Sequence, residues 1–143
     1  MALTVTAASV IPSNAGQHKD GVAGGTITAG QPVYLSSSNT IIAANADAGA
    51  AAGAARVVGI AEHAALTGQI VTYTTLDPAF IHGITASEIA PGQVVYLDDT
   101  AGGMTVTYSD LDAADYSVII GQINNPETTM NLRPLAPVLK ASS

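Results

Sequence analysis

Apolar and polar residues alternate with a period of two in the parts of the chain where any period is clear, and that spacing predicts strands. It is sharpest at Met104-Thr105-Val106-Thr107-Tyr108, where Met, Val and Tyr share one predicted face and the threonines the other. Residues 69–76 are rich in β-branched side chains and long enough for a full strand. Shorter apolar runs predict strands at residues 3–6, 33–35, 40–43, 56–62, 79–82, 94–97, 117–124 and 130–135. Turn residues divide them: Ala29-Gly30, Pro91-Gly92, Ala101-Gly102-Gly103 and Asn124-Asn125-Pro126. Many short strands separated in this way point to an all-β sandwich or barrel. Helical signal is weak. Residues 47–55 are rich in Ala and Asp47 could cap them, but Gly49 and Gly53 each cost a helix up to about 1 kcal/mol. A loop or frayed turn is expected there, and a single turn at residues 110–115.

The pattern also repeats. Ile27-Thr28-Ala29-Gly30-Gln31-Pro32-Val33-Tyr34-Leu35 returns as Ile89-Ala90-Pro91-Gly92-Gln93-Val94-Val95-Tyr96-Leu97, 62 residues later. Val57-Val58-Gly59-Ile60 falls on Ile119-Ile120-Gly121-Gln122 at the same offset, and Ile70 falls on Leu132. The chain therefore reads as two similar β units, residues 27–76 and 89–135, inside one β domain at 21–136. Each unit is a Gly-Gln turn, an apolar strand, a polar loop, a strand with an internal Gly, and a third strand. In the recurring positions, Gly30 and Gly92 supply a turn with positive φ, while Tyr34 and Tyr96 pack their rings inward with the hydroxyl at the rim.

The ends differ from the middle. Residues 1–20 form an N-terminal arm or long loop and 137–143 a C-terminal tail, both outside the repeat. Leu3, Val5, Val10 and Ile11 in the arm, and Val138 and Leu139 in the tail, are apolar enough to dock on a neighbouring subunit or another protein surface. They are the candidate interface residues, and the arm from Leu3 to Ile11 could add a strand to an exposed sheet edge elsewhere.

Composition narrows the function classes. A chain of 143 residues is one domain by size and buries roughly 68–70% of its unfolded surface, enough for a core without disulfides or metal. Charged residues make up 10% of it, against a norm of about 25%, so Ala, Gly, Ser and Thr must cover much of the surface, which favours burial against partners. The net charge of −7 leaves four scattered basic residues, too few to replace the counterions of DNA or RNA or to hold an anionic membrane. No Cys is present, which removes disulfides, thiolate catalysis and Cys-ligated zinc. The first residues lack the pattern of a signal peptide, and the Ala/Gly tract at 48–55 is too short to span a bilayer. The expectation is a soluble protein made in the cytoplasm.

Chemistry is sparse. His18, His63 and His82 share no metal-ligand spacing, so no metal site is expected. Asp110, Asp112 and Asp115 open like a calcium loop but lack the Gly and Glu that the loop needs at its sixth and twelfth positions. Asp98-Asp99-Thr100-Ala101-Gly102 misplaces the Gly of an aspartic-protease motif and has Ser36-Ser37 in the duplicated position, so it reads as a hairpin turn. No nucleophile elbow or phosphate-binding loop occurs. No enzyme activity, catalytic residue or cofactor is expected.

Gly24-Gly25-Thr26-Ile27-Thr28-Ala29-Gly30-Gln31-Pro32-Val33-Tyr34-Leu35, then Val58-Gly59-Ile60-Ala61 with Ala64-Ala65 and Gly68-Gln69, then Gly92-Gln93-Val94-Val95-Tyr96-Leu97 and Ala101-Gly102-Gly103, resembles the small capsid cement or decoration proteins of tailed bacteriophages. The resemblance covers roughly residues 20–135. It implies a jelly-roll-like β fold, as in the podovirus-type cement proteins, and a dimer or trimer on the outer surface of the virion. There such an oligomer contacts the major capsid protein and bridges neighbouring capsomers. The alternative is a receptor- or carbohydrate-binding β-sandwich of a virion fibre, which would need exposed aromatic platforms that a chain with no Trp and one Phe supplies poorly.

Overall fold

A computed structural model describes residues 2–47, 49–50, 53–111 and 115–139. Its strands are β1 (Gln17–Val22), β2 (Pro32–Leu35), β3 (Ile41–Ala43), β4 (Gly59–Ala61), β5 (Ile70–Ile81), β6 (Val94–Leu97), β7 (Met104–Thr105), β8 (Tyr116–Ser117), β9 (Ile119–Ile123), β10 (Thr129–Leu132) and β11 (Val138–Leu139). The protein is all-β: the strands form an antiparallel sheet curled into a half-barrel. Helical structure among the described residues is confined to three single 3-10 turns, at Ala7–Ser9, Ala86–Glu88 and Tyr108–Asp110.

The duplication is visible in the strand order. The main sheet runs β3-β2-β4-β5-β10-β9-β6-β7, so each unit contributes the same four-strand pattern and the two meet along β5 and β10. The register repeats as well. Pro32 opposes Ile60 and Val33 opposes Gly59, while Val94 opposes Gln122 and Val95 opposes Gly121. Gly59 and Gly121 explain the internal glycine of each unit. A Cβ at Gly59 would lie 2.3 Å from the Thr74 carbonyl oxygen, and one at Gly121 2.4 Å from that of Asn131, so only glycine lets these strands close.

The constant offset ends at the next strand. Thr74 opposes Ile60 and Asn131 opposes Gln122, so Asn131 is the counterpart of Thr74. The sequence match of Ile70 with Leu132 is therefore not a structural equivalence. The shorter β9–β10 connection resets the register.

Other elements also depart from the sequence reading. Residues 69–76 and 79–82 fuse into the single strand β5 across Asp77-Pro78. Leu132 opposes Asp77 and Met130 opposes Phe80, so Pro78 sits in a bulge where its missing N–H breaks no ladder bond. β7 stops after Thr105, which is buried, and Tyr108 begins a 3-10 turn and is exposed; the alternation over 104–108 does not extend into one strand. β1 begins at Gln17, inside the stretch read as arm, and pairs with β5 along its whole length. Apolar periodicity missed it because nearly all of its residues are exposed. The described part of the 47–55 tract forms turns rather than helix; Ala48, Ala51 and Ala52 lie outside the described residues.

Two hydrophobic clusters fill the fold. The larger joins both units, with Tyr34 and Ile60 from the first packed with Val95, Leu97, Ile123 and Met130 from the second, and Phe80 fully buried at the seam. The smaller lies on the opposite face of the first unit, where Val33, Ala61, Val71 and Tyr73 are covered by Ala23, Ile27 and Ala65. Both faces of the first unit are thus covered. In the second unit the face with Val95, Ile123 and Met130 is buried in the large cluster, whereas on the other face Val94 is half-buried and Gln122 and Asn131 are exposed.

Candidate interaction surface

Three Gly-Gln turns of one design set the ends of the strands. In Thr28–Gln31, Leu66–Gln69 and Ala90–Gln93 the third residue is a glycine at φ +89°, +89° and +88°, the geometry of a type II turn. The Gln backbone N–H donates to the carbonyl three residues earlier at 3.3, 3.0 and 3.3 Å. The Gln side-chain oxygen accepts the N–H of that same earlier residue at 3.1, 2.8 and 2.7 Å. Each glutamine is therefore a local clamp, which gives the recurring Gly-Gln pair a structural reason. The third copy, at Gly68-Gln69, lies outside the 62-residue match. Tyr34 is buried as expected, whereas Tyr96 is half-buried with its ring edge-on to Tyr108 at 5.4 Å.

The six candidate interface residues divide. Leu3 donates its N–H to the Met104 carbonyl at 2.7 Å, and Val5 bridges Ile84. Both pack on the large core, and Val10 is part of it. The side chains of Leu3, Val5 and Val10 therefore pack against their own domain, Val10 buried and Leu3 and Val5 half-buried. Ile11 exchanges two backbone bonds with Ile81, at 2.9 and 3.0 Å, but leaves its side chain 52% exposed. Val138 pairs with Ser117 and is 66% exposed; Leu139 pairs with Tyr116.

Carboxylates fasten the N-terminal segment. Glu88 accepts the Thr4 N–H at 2.7 Å and its hydroxyl at 3.3 Å. Buried Asp77 accepts the Ser13 N–H at 2.7 Å, the Ser13 hydroxyl, and the Ala79 N–H at 3.0 Å. Residues 2–13 are therefore an inner strap over the half-barrel.

The exposed apolar side chains lie elsewhere. Val22 and Ile70 are direct cross-strand partners at one end of the β1–β5 pair, and Leu66 sits in the turn that feeds Ile70. Leu66 and Ile70 are 60% and 59% exposed. Leu35, Leu76 and Leu135 are also exposed. Sequence reasoning passed over Ile70 because a strand of β-branched residues reads as core until its neighbours are known, and over Val22 and Leu66 because both lie outside the runs read as strands.

The histidines do not converge. His18 pairs with Glu62, which also accepts the Thr74 hydroxyl at 2.9 Å. The Thr72 N–H donates to His63 Nε2 at 3.1 Å, so Nδ1 carries the proton and donates to the Ala64 carbonyl at 2.9 Å. His82, 1% exposed, accepts the Ile84 N–H at Nδ1 and donates from Nε2 to the Glu127 carbonyl at 2.7 Å. Burial pushes its pKa below the ordinary value, and the Glu127 bond only partly opposes this. Asp98 shapes the β6–β7 turn, donating its N–H to the Gly103 carbonyl; its Oδ1 is buried without a partner among the described residues. No group of three or more His, Asp or Glu side chains there is placed to hold a metal ion. Asp112, one of the three aspartates of the calcium-like run, lies outside those residues.

Neither the protein-family models nor the curated proteins compared with the chain give a match.

Proposed function

We propose that the protein decorates the outside of a tailed-phage head, binding the major capsid protein and bridging neighbouring capsomers as a dimer or trimer. One observation carries the reading: large aliphatic side chains stand exposed in two parts of the chain, at Val22, Leu66 and Ile70 by one end of the β1–β5 pair and at Leu135 and Val138 at and after the end of the second unit. Such surface on a charge-poor chain suits burial against a protein lattice. A bridging protein needs two such contacts, and each contact can be modest because several sites engage at once. The sequence resemblance described above supports the same role.

The strap changes how contact is made. With Leu3, Val5 and Val10 packed on the core, the rigid faces and tips of the half-barrel make the contact in this reading, with no swinging arm. The test is co-sedimentation of the purified protein with empty heads assembled from the phage's major capsid protein alone. Saturable binding at a fixed ratio to capsomers, together with heads that survive higher temperature, is the expected result. Protein that stays in the supernatant at every concentration refutes the proposal.

A further inference from the structure

The two units differ most on one face. In the first, Pro32, Val57, Ile60 and Thr74 are buried. Their counterparts in the second are Val94, Ile119, Gln122 and Asn131, by the register that pairs Ile60 with Thr74 and Gln122 with Asn131. These line an open groove with Arg133 and Leu135. At the matching positions an isoleucine has become glutamine and a threonine asparagine, and the groove adds a guanidinium. Duplication of a fully covered face would have left an apolar surface here. What stands here is an apolar floor with amide and guanidinium donors.

Arg133 donates its backbone N–H to the Ile120 carbonyl, but its guanidinium has no partner among the described residues. The chain holds 11 acidic residues, yet those described near donors are used within the fold: Asp20 by Thr72, Glu62 by His18, Asp77 by Ser13 and Glu88 by Thr4. Gln122 also donates to the Gly92 carbonyl at 3.0 Å, which holds its amide at the groove wall. A guanidinium binds a carboxylate through two parallel hydrogen bonds, and that geometry fixes orientation as well as attraction. In a protein of net charge −7, an acidic partner surface is repelled by most of the exterior; Arg56 and Lys19 are exposed cations too, but Arg133 is the one that stands beside an apolar groove floor.

We infer that the groove of Val94, Ile119, Gln122, Asn131, Arg133 and Leu135 is the docking site for an acidic side chain, Asp or Glu, flanked by apolar residues on the outer surface of the shell protein. The carboxylate engages Arg133, and its apolar neighbours cover Ile119 and Leu135. This rests on the shell-binding reading and names the part of the molecule that performs it. Nucleic-acid phosphate does not suit the site, because one arginine cannot replace the counterions of a phosphate backbone.

The experiment measures binding to empty heads for the wild type, Arg133→Glu, Arg133→Lys and the control Arg56→Glu, which reverses an exposed arginine outside the groove. Far-UV circular dichroism and thermal melts check that each variant is folded; Arg133 is exposed. Arg133→Glu is expected to weaken binding about tenfold or more, Arg133→Lys less, and Arg56→Glu less than about threefold. Wild-type binding matched by Arg133→Glu overturns the groove and leaves the shell-binding reading standing. Absence of wild-type binding overturns that reading and the groove with it. Sedimentation velocity supplies the remaining arm. If Arg133→Glu abolishes self-association while head binding is unchanged, the occupant is a second copy of this chain and the inference is wrong.

Discussion

Gly30, Gly68 and Gly92 share one backbone conformation but have different surroundings. A Cβ on Gly30 would lie 2.5 Å from Val5 Cγ1, where the N-terminal strap crosses, whereas Gly68 and Gly92 face open space. Alanine at any of them meets the left-handed penalty of about 1 kcal/mol. At Gly30 it also overpacks the strap, for about 1–3 kcal/mol more. Urea unfolding is thus expected to rank Gly30→Ala well below Gly68→Ala and Gly92→Ala, with the latter two within about 0.5 kcal/mol of each other. The turns at Gly30 and Gly92 were legible because a positive φ is a property of one residue; the turn at Gly68 was not read, because it falls outside the repeat. The side-chain clamp of Gln31, Gln69 and Gln93 was not legible, because it depends on a rotamer that composition does not reveal.

At the level of elements, the strap is the part most open to perturbation. Asp77 lies in the middle of β5 and holds Ser13 through two acceptor oxygens. Asp77→Ala removes these bonds and the one to Ala79, at an expected cost of about 2–3 kcal/mol. Hydrogen exchange in the variant should rise more at the Thr6 and Ile11 amides, which bond to Gly83 and Ile81, than at the Ile123 amide in β9. The second unit's strand β6 and its turn were legible in the sequence to the residue, since a short apolar run follows directly on the turn residues Pro91-Gly92. β1 was not legible. Its residues Gln17-His18-Lys19-Asp20-Gly21-Val22 carry no apolar face, and they form a strand because β5 offers them a ladder of backbone partners.

For the whole molecule, the large core makes the two units interdependent. Phe80 lies at their seam with Met130 opposite, both fully buried. Phe80→Ala is expected to lower stability by about 3–5 kcal/mol. Far-UV circular dichroism and tyrosine fluorescence should still report one coincident unfolding transition, because neither unit retains a closed core without the other. Local alternation, turn residues and the recurrence of Ile-x-x-Gly-Gln-x-Val-Tyr-Leu determined that this chain is all-β and built twice on one plan. These are short-range properties: side-chain parity along a strand and permitted backbone angles at a turn need no knowledge of distant neighbours. Which face of each unit is covered was decided only in three dimensions. Val33 and Val95 occupy equivalent positions yet enter different clusters, and Ile60 is buried where Gln122 meets the groove. The curl of the sheet lays one face of the first unit against the opposite face of the second, so burial at these positions depends on long-range contact, which period and composition do not encode.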